Sequence, residues 1–141
     1  MTDLTTAVHR AGQGITSIFA GILIHEGASY TERQFLLMRQ IDHTTDCSQT
    51  DLTQFTGIDR STLADIIRRL IARGVVSRRR SKEDARAYRV RLTEKGKRVY
   101  DALAPKYDKR YAEMIAGLKP ADLAAAARVH QHVASFASKA T

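Results

Sequence analysis

Between residues 48 and 92 the chain is punctuated so closely that few folds can accommodate it. Ser48, followed three residues later by Asp51, is a helix-capping pair, in which a hydroxyl accepts from an amide of the first turn. It opens a short helix over Leu52 and Phe55 that Gly57 closes, because glycine takes the left-handed conformation at a helix end without strain. Asp59 caps a second helix running to Arg73, and Gly74 stops it. Along this helix Leu63, Ile66, Ile67, Leu70 and Ile71 share one face, while Arg60, Ser61, Thr62, Asp65, Arg68 and Arg69 lie largely on the other, as the helical repeat requires. Two short helices joined by a tight glycine turn, the second with small polar and basic residues near its start, predict a helix-turn-helix.

The period then changes. Residues 75–80 and 88–92 read as strands around a polar tip, 81–87, and the second strand alternates Tyr88, Val90 and Leu92 with Arg89 and Arg91. Alternation puts the arginines on one wet face of a hairpin. A helix-turn-helix leading straight into a basic hairpin predicts a winged helix, mainly α with a small β-hairpin wing. The charge falls in the same place. The chain carries 23 Lys and Arg against 15 Asp and Glu, a formal +8; 14 of the bases and 5 of the acids stand between Ile58 and Arg98, a local +9 that leaves −1 elsewhere. Such a surface gains affinity for duplex DNA by displacing condensed counterions. On charge alone a membrane surface, or a solvated face that merely aids solubility, would serve as well. The order of the elements is what favours DNA.

At 141 residues the chain suits one domain with a real core, and is too short for two ordinary ones. Upstream, Leu4, Val8, Ala11, Ile15, Ile18, Phe19 and Ile22 recur at helical spacing and predict an amphipathic helix over residues 4–23, although Gly12, Gly14 and Gly21 oppose it. Thr31 with Gln34 caps another helix through Phe35, Leu37, Met38 and Ile41. Downstream, residues 93–117 and 120–137 read as two long helices, with Pro105 expected to bend the first and Pro120 to open the second. A winged helix folds without these outer helices. Residues 1–30 and 100–141 are therefore expected to pair two subunits, leaving 31–99 as the DNA-binding lobe; closure of a monomeric core is the alternative.

Four stretches carry a family resemblance: Ser48-Gln49-Thr50-Asp51-Leu52; Gly57-Ile58-Asp59-Arg60-Ser61-Thr62; the run from Arg69-Leu70 to Arg73-Gly74-Val75-Val76; and Asp84-Ala85-Arg86 leading to Leu92-Thr93-Glu94-Lys95-Gly96. Together they resemble the MarR family (multiple antibiotic resistance regulators), and the helix order extends the likeness over nearly the whole chain. The resemblance implies a single MarR-type domain over residues 1–141 and a homodimer of triangular outline. It implies double-stranded DNA with an inverted-repeat operator as partner, recognition helices in two major grooves and wing tips in the flanking minor grooves. It also implies a repressor released by a small aromatic or lipophilic acid. Arg86 matches the family's wing-tip arginine and Asp84 the acid that orients it. Ser81-Lys82 stand where an Asp-Pro pair is frequent, a departure that bears on the conformation of the tip.

Residue by residue, Ser61 and Thr62 can donate or accept at phosphates and base edges, and Arg60 and Arg68, with Asp65 beside them, can reach guanine or phosphate; an ordinary polar helix face is the plainer reading. Arg78, Arg79, Arg80 and Lys82 read as phosphate anchors. Arg86, on the tip, can enter a narrow A·T-rich groove and report its width. An aromatic acid needs apolar walls and a donor for its carboxylate, for which His9, Phe19, Phe35, Met38, Arg39 and Tyr111 are the candidates; any of them can equally be a core or dimer contact.

Cys47 is the only cysteine, which rules out an intrachain disulfide and fits a reducing compartment. Some MarR-type regulators sense oxidants through a cysteine, usually near the N-terminus. Cys47 instead fills a position that is apolar in the family pattern, and a packed thiol is favoured over a peroxide sensor. His130 and His132 point in different directions from one helix, and His9, His25 and His43 lack a ligand-spaced neighbour, so no metal or cofactor is expected. Motifs for a nucleophile elbow, a phosphate loop or a zinc protease are missing, and no enzyme is expected. The rival function is an architectural protein that coats DNA without an effector. The apolar run 18–24 is far shorter than the roughly 20 residues that span a bilayer, and no cleavable leader is found, so a cytoplasmic location is expected.

Overall fold

The computed structural model describes residues 3, 6, 9, 10, 13, 14, 17, 20, 29–44, 47–81 and 88–139. The helix expected over residues 4–23 thus lies largely outside the described residues, though the positions described within it are helical. The first continuous helix, α1 (Glu32–His43), opens on the predicted cap: the Thr31 hydroxyl accepts from the Gln34 amide at 3.2 Å, and the Gln34 side chain accepts from the Thr31 amide at 3.0 Å. This reciprocal bond partners Gln34, the one buried polar side chain among the described residues, and so removes much of its desolvation cost.

A short strand, β1 (Cys47–Ser48), leads into α2 (Gln49–Thr56). Ser48 caps α2 through the Asp51 amide at 3.1 Å, and Asp51 answers by accepting from the Ser48 amide at 2.8 Å. Gly57 ends it at φ +65°. Helix α3 (Arg60–Ala72) follows the Asp59 cap, and the chain turns at Gly74, with φ +69°, into β2 (Val76–Arg80) and β3 (Tyr88–Leu92). The wing is wider than a hairpin. Strand β1 pairs antiparallel with β3, Cys47 opposite Val90 and Ser48 opposite Arg89, giving a three-stranded sheet in the order β1-β3-β2.

Helix α4 (Glu94–Ile115) runs uninterrupted through Pro105, and α5 (Pro120–Lys139) begins with Pro120 at its first position, where the missing amide is no loss. Thr93 stands at the head of α4: its hydroxyl accepts from the Gly96 amide at 3.0 Å and donates to the Gly74 carbonyl at 2.7 Å. The end of α3 and the start of α4 are therefore tied through one side chain.

The chain divides into two compact units, one ending at Tyr107 and one running from Asp108 to Thr141. The core of the first unites Phe35, Leu37 and Met38 of α1, Leu52 of α2, Leu63, Ile67 and Leu70 of α3, Val90 of the sheet, and Tyr100, Leu103, Ala104 and Tyr107 of α4. Each fully buried aliphatic side chain contributes about 1.5–3 kcal/mol relative to exposure. The Phe35 ring lies 4.8 Å from that of Tyr107 and 5.7 Å from that of Tyr100, so this core reaches past residue 99, the limit expected for the lobe. In the second unit Leu118, Val129 and Phe136 leave half or more of their surface exposed.

Candidate nucleic-acid interface

The N-terminus of α3 is organised by one carboxylate. Asp59 accepts from the Ser61 hydroxyl at 2.6 Å and from the Thr62 amide at 2.9 Å, and these bonds, Ser61's foremost, hold its carboxyl well below the usual range. With its hydrogen donated to Asp59, the Ser61 hydroxyl is left to present lone pairs and act as an acceptor. A carboxyl of lowered pKa keeps its contribution above the ordinary carboxylate pKa and loses it only as pH falls through the depressed value, so this cap is constant across the neutral range.

Further along α3, Arg60, Ser61, Arg68 and Arg69 are exposed, while Thr62 and Asp65 are half-buried. Asp65 pairs with both Arg68 and Arg69, the latter at 2.8 Å; its carboxyl is held below the usual range, chiefly by the bond from Arg68. On β2, Arg78, Arg79 and Arg80 are exposed. The Arg78 guanidinium sits 4.2 Å from the ring centroid of Tyr88, a cation–π contact that restrains its direction. Residues Arg79 and Arg89 face one another in the ladder. Arg89 also approaches Asp51 at 3.9 Å.

These elements meet around an open groove of about 640 Å³ whose walls include Ser61, Asp65 and Arg68 from α3, Gln49 from α2 and Arg78 from β2, with Ala64, Ile67 and Ile71 supplying its apolar lining. Four of the residues expected to face DNA are thereby brought to one place. Lys82, Asp84 and Arg86 lie outside the described residues. Gln49 and Ala64 were not among the residues expected to face DNA, yet the spacing 61, 64, 65, 68, 71 is that of one helical face. Ile71 was expected inside with Leu70; it sits at the edge of the apolar stripe and keeps 37% of its surface exposed.

The candidate effector residues are distributed differently. Phe35 and Met38 have no exposed surface and belong to the core, so a ligand reaches them only if that core opens. Arg39 is half-buried, its guanidinium 5.5 Å from the Tyr107 ring centroid. His9 is exposed, Tyr111 is exposed in the second unit, and Phe19 lies outside the described residues. Cys47 is fully buried against β3. Burial, assisted by the Asp51 carboxylate and opposed by Arg89, pushes its thiol up to about 11, so roughly one thiol in ten thousand is ionised at neutral pH. Among the described residues no group of three or more His, Cys, Asp and Glu side chains is placed to hold a metal ion, and no helix is long and apolar enough to cross a membrane.

Residues 30–88 match the model of the MarR family. The chain is 27% identical over 106 residues to the uncharacterized HTH-type transcriptional regulator YdgJ of Bacillus subtilis (strain 168), a match covering 75% of this chain and 64% of that protein. Among solved structures it is similar to the transcriptional regulator SlyA, with TM-score 0.84 and 22% identity over 99% of this chain and 100% of that one. It is also similar to BpsR of Bordetella bronchiseptica, whose DNA binding is regulated by 6-hydroxynicotinic acid, with TM-score 0.77 and 25% identity over 92% and 97% of the two chains. The MarR family model spans α1, the helix-turn-helix and the whole of β2, and α2, α3 and β2, the elements that line the groove, all fall within the matched residues.

Proposed function

We propose that the chain is a transcriptional regulator, a homodimeric repressor that places α3 in the major groove of an inverted-repeat operator and the basic strands against the flanking backbone. The observation that carries this reading is the convergence of Ser61, Asp65 and Arg68 with Arg78 on one open groove, inside the segment of highest positive charge. Major-groove docking of a recognition helix uses its N-terminal side chains, and Asp59 holds those of α3 in place. The exposed apolar side chains of α5, Val129 and Phe136, suit a helix that completes its burial against a second copy. Footprinting on a selected operator is expected to show two protected patches about 10 base pairs apart, centre to centre. Continuous, unphased protection would instead support a coating protein.

Release by a small aromatic or lipophilic acid is the second half of the proposal, supported by the likeness to BpsR. A ligand of this kind acts only if it favours the subunit spacing that does not fit two successive major grooves. Titration of the operator complex with hydroxylated aromatic acids is expected to lower DNA affinity, and DNA to lower acid affinity by the same factor. If no acid acts while peroxide releases wild type and not Cys47→Ser, sensing passes to the thiol, against the burial described above.

A further inference from the structure

On the outward face of α3, each oxygen of the Asp65 carboxylate holds a different guanidinium: Oδ1 takes Nη2 of Arg68, and Oδ2 takes Nε of Arg69 at 2.8 Å. The carboxylate is the sheltered member of the trio, its side chain 33% exposed against 79% for Arg68 and 68% for Arg69. It shares the groove wall with Ser61, Arg68 and Arg78. As helix stabilisation, exposed pairs at this spacing contribute little. Against duplex DNA, an acid in this place is a cost for every sequence alike, because it cancels one arginine charge and repels phosphate.

What the acid supplies is geometry. A guanidinium on a flexible stem can contact phosphate from many directions, whereas one arm fixed against a carboxylate leaves a planar fork with a set orientation. That is the requirement for paired bonds to O6 and N7 of guanine. We propose that Asp65 is a positioning residue for Arg68 and sets the sequence discrimination of this surface, aiming the guanidinium at a base edge while weakening attachment to arbitrary DNA. This inference rests on the DNA-binding reading above.

The test is a double-mutant cycle of Asp65→Asn and Arg68→Ala, with affinity measured on a selected operator and on a scrambled duplex of equal length. Asp65→Asn is expected to reduce the operator-to-scrambled ratio by roughly tenfold, the size of one missing base-reading pair. It should bind the scrambled duplex more tightly than wild type does, with thermal unfolding little changed. In the Arg68→Ala background, the same substitution should leave the ratio unaltered. The inference is overturned if Asp65→Asn changes both affinities equally. It is overturned too if the loss of discrimination persists without Arg68, for then Asp65 acts through Arg69 or itself accepts from a base such as cytosine. Should wild type bind both duplexes alike, the reading as a sequence-specific regulator fails and this inference falls with it.

Discussion

Raising salt from 50 to 200 mM is expected to weaken binding to duplex DNA by roughly a thousandfold to a hundred-thousandfold, the range for a protein that neutralises about six to ten phosphates. The reason is the placement of charge. Arg60, Arg68, Arg69, Arg78, Arg79 and Arg80 are all exposed on α3 and β2, and the segment around them carries a local +9 while the remainder of the chain is nearly neutral. Each neutralised phosphate adds about 0.9 to the slope of log affinity against log salt. Arg79→Ala should therefore flatten that slope by about 0.9 for each phosphate it no longer neutralises, and by about twice that in a dimer, without altering which sequence is preferred. A nearly flat dependence for wild type would mean that the basic face does not meet phosphate.

The largest effect on stability is expected at a glycine. A Cβ added at Gly96 would lie 1.9 Å from the carbonyl oxygen of Val75 and 2.8 Å from its carbonyl carbon. That carbonyl is fixed, because it accepts from the Thr93 amide at 3.1 Å. Around it, Thr93 bonds to the Gly74 carbonyl at 2.7 Å and the Lys95 ammonium to the Arg73 carbonyl at 2.9 Å. No rotamer change relieves a clash between two backbones, so Gly96→Ala must part the start of α4 from the turn that ends α3. Overpacking of this kind costs about 1–3 kcal/mol or more, which outweighs the gain of about 1 kcal/mol from replacing glycine by alanine in a helix. Gly117→Ala is the control, since nothing lies within 4 Å of an added Cβ there. Denaturant unfolding at fixed protein concentration should show Gly96→Ala markedly destabilised and Gly117→Ala near wild type. Equal midpoints would show that α4 does not approach the turn so closely.

Much of this architecture is legible because its signals are local. Thr31 with Gln34, Ser48 with Asp51, and Asp59 are side chains that bond to amides a few residues away, and Gly57 and Gly74 mark positive φ. Strand β1 is illegible for the opposite reason. Two residues, Cys47 and Ser48, have no periodicity to read, and their strand exists only because β3, some forty residues later, offers it an edge. Burial within an apolar stripe is equally hidden: spacing places Phe35, Met38 and Ile71 on apolar faces, yet only packing decides that the first two are core and the third borders the groove. The same holds for Leu103 and Tyr107. Their stripe is plain in the sequence, whereas their partner, Phe35 in the lobe, is not.

The most direct test of the DNA-binding account is competition between duplexes. An operator selected from a random pool is labelled, and wild-type protein is titrated against unlabelled operator and against scrambled DNA of the same length and composition at one fixed salt concentration. The account predicts that scrambled DNA competes at least about a thousandfold more weakly, the discrimination of specific regulators, and that Arg68→Ala narrows the gap. A ratio near one, with tight binding to both duplexes, would contradict it and leave a basic protein that coats DNA without reading it.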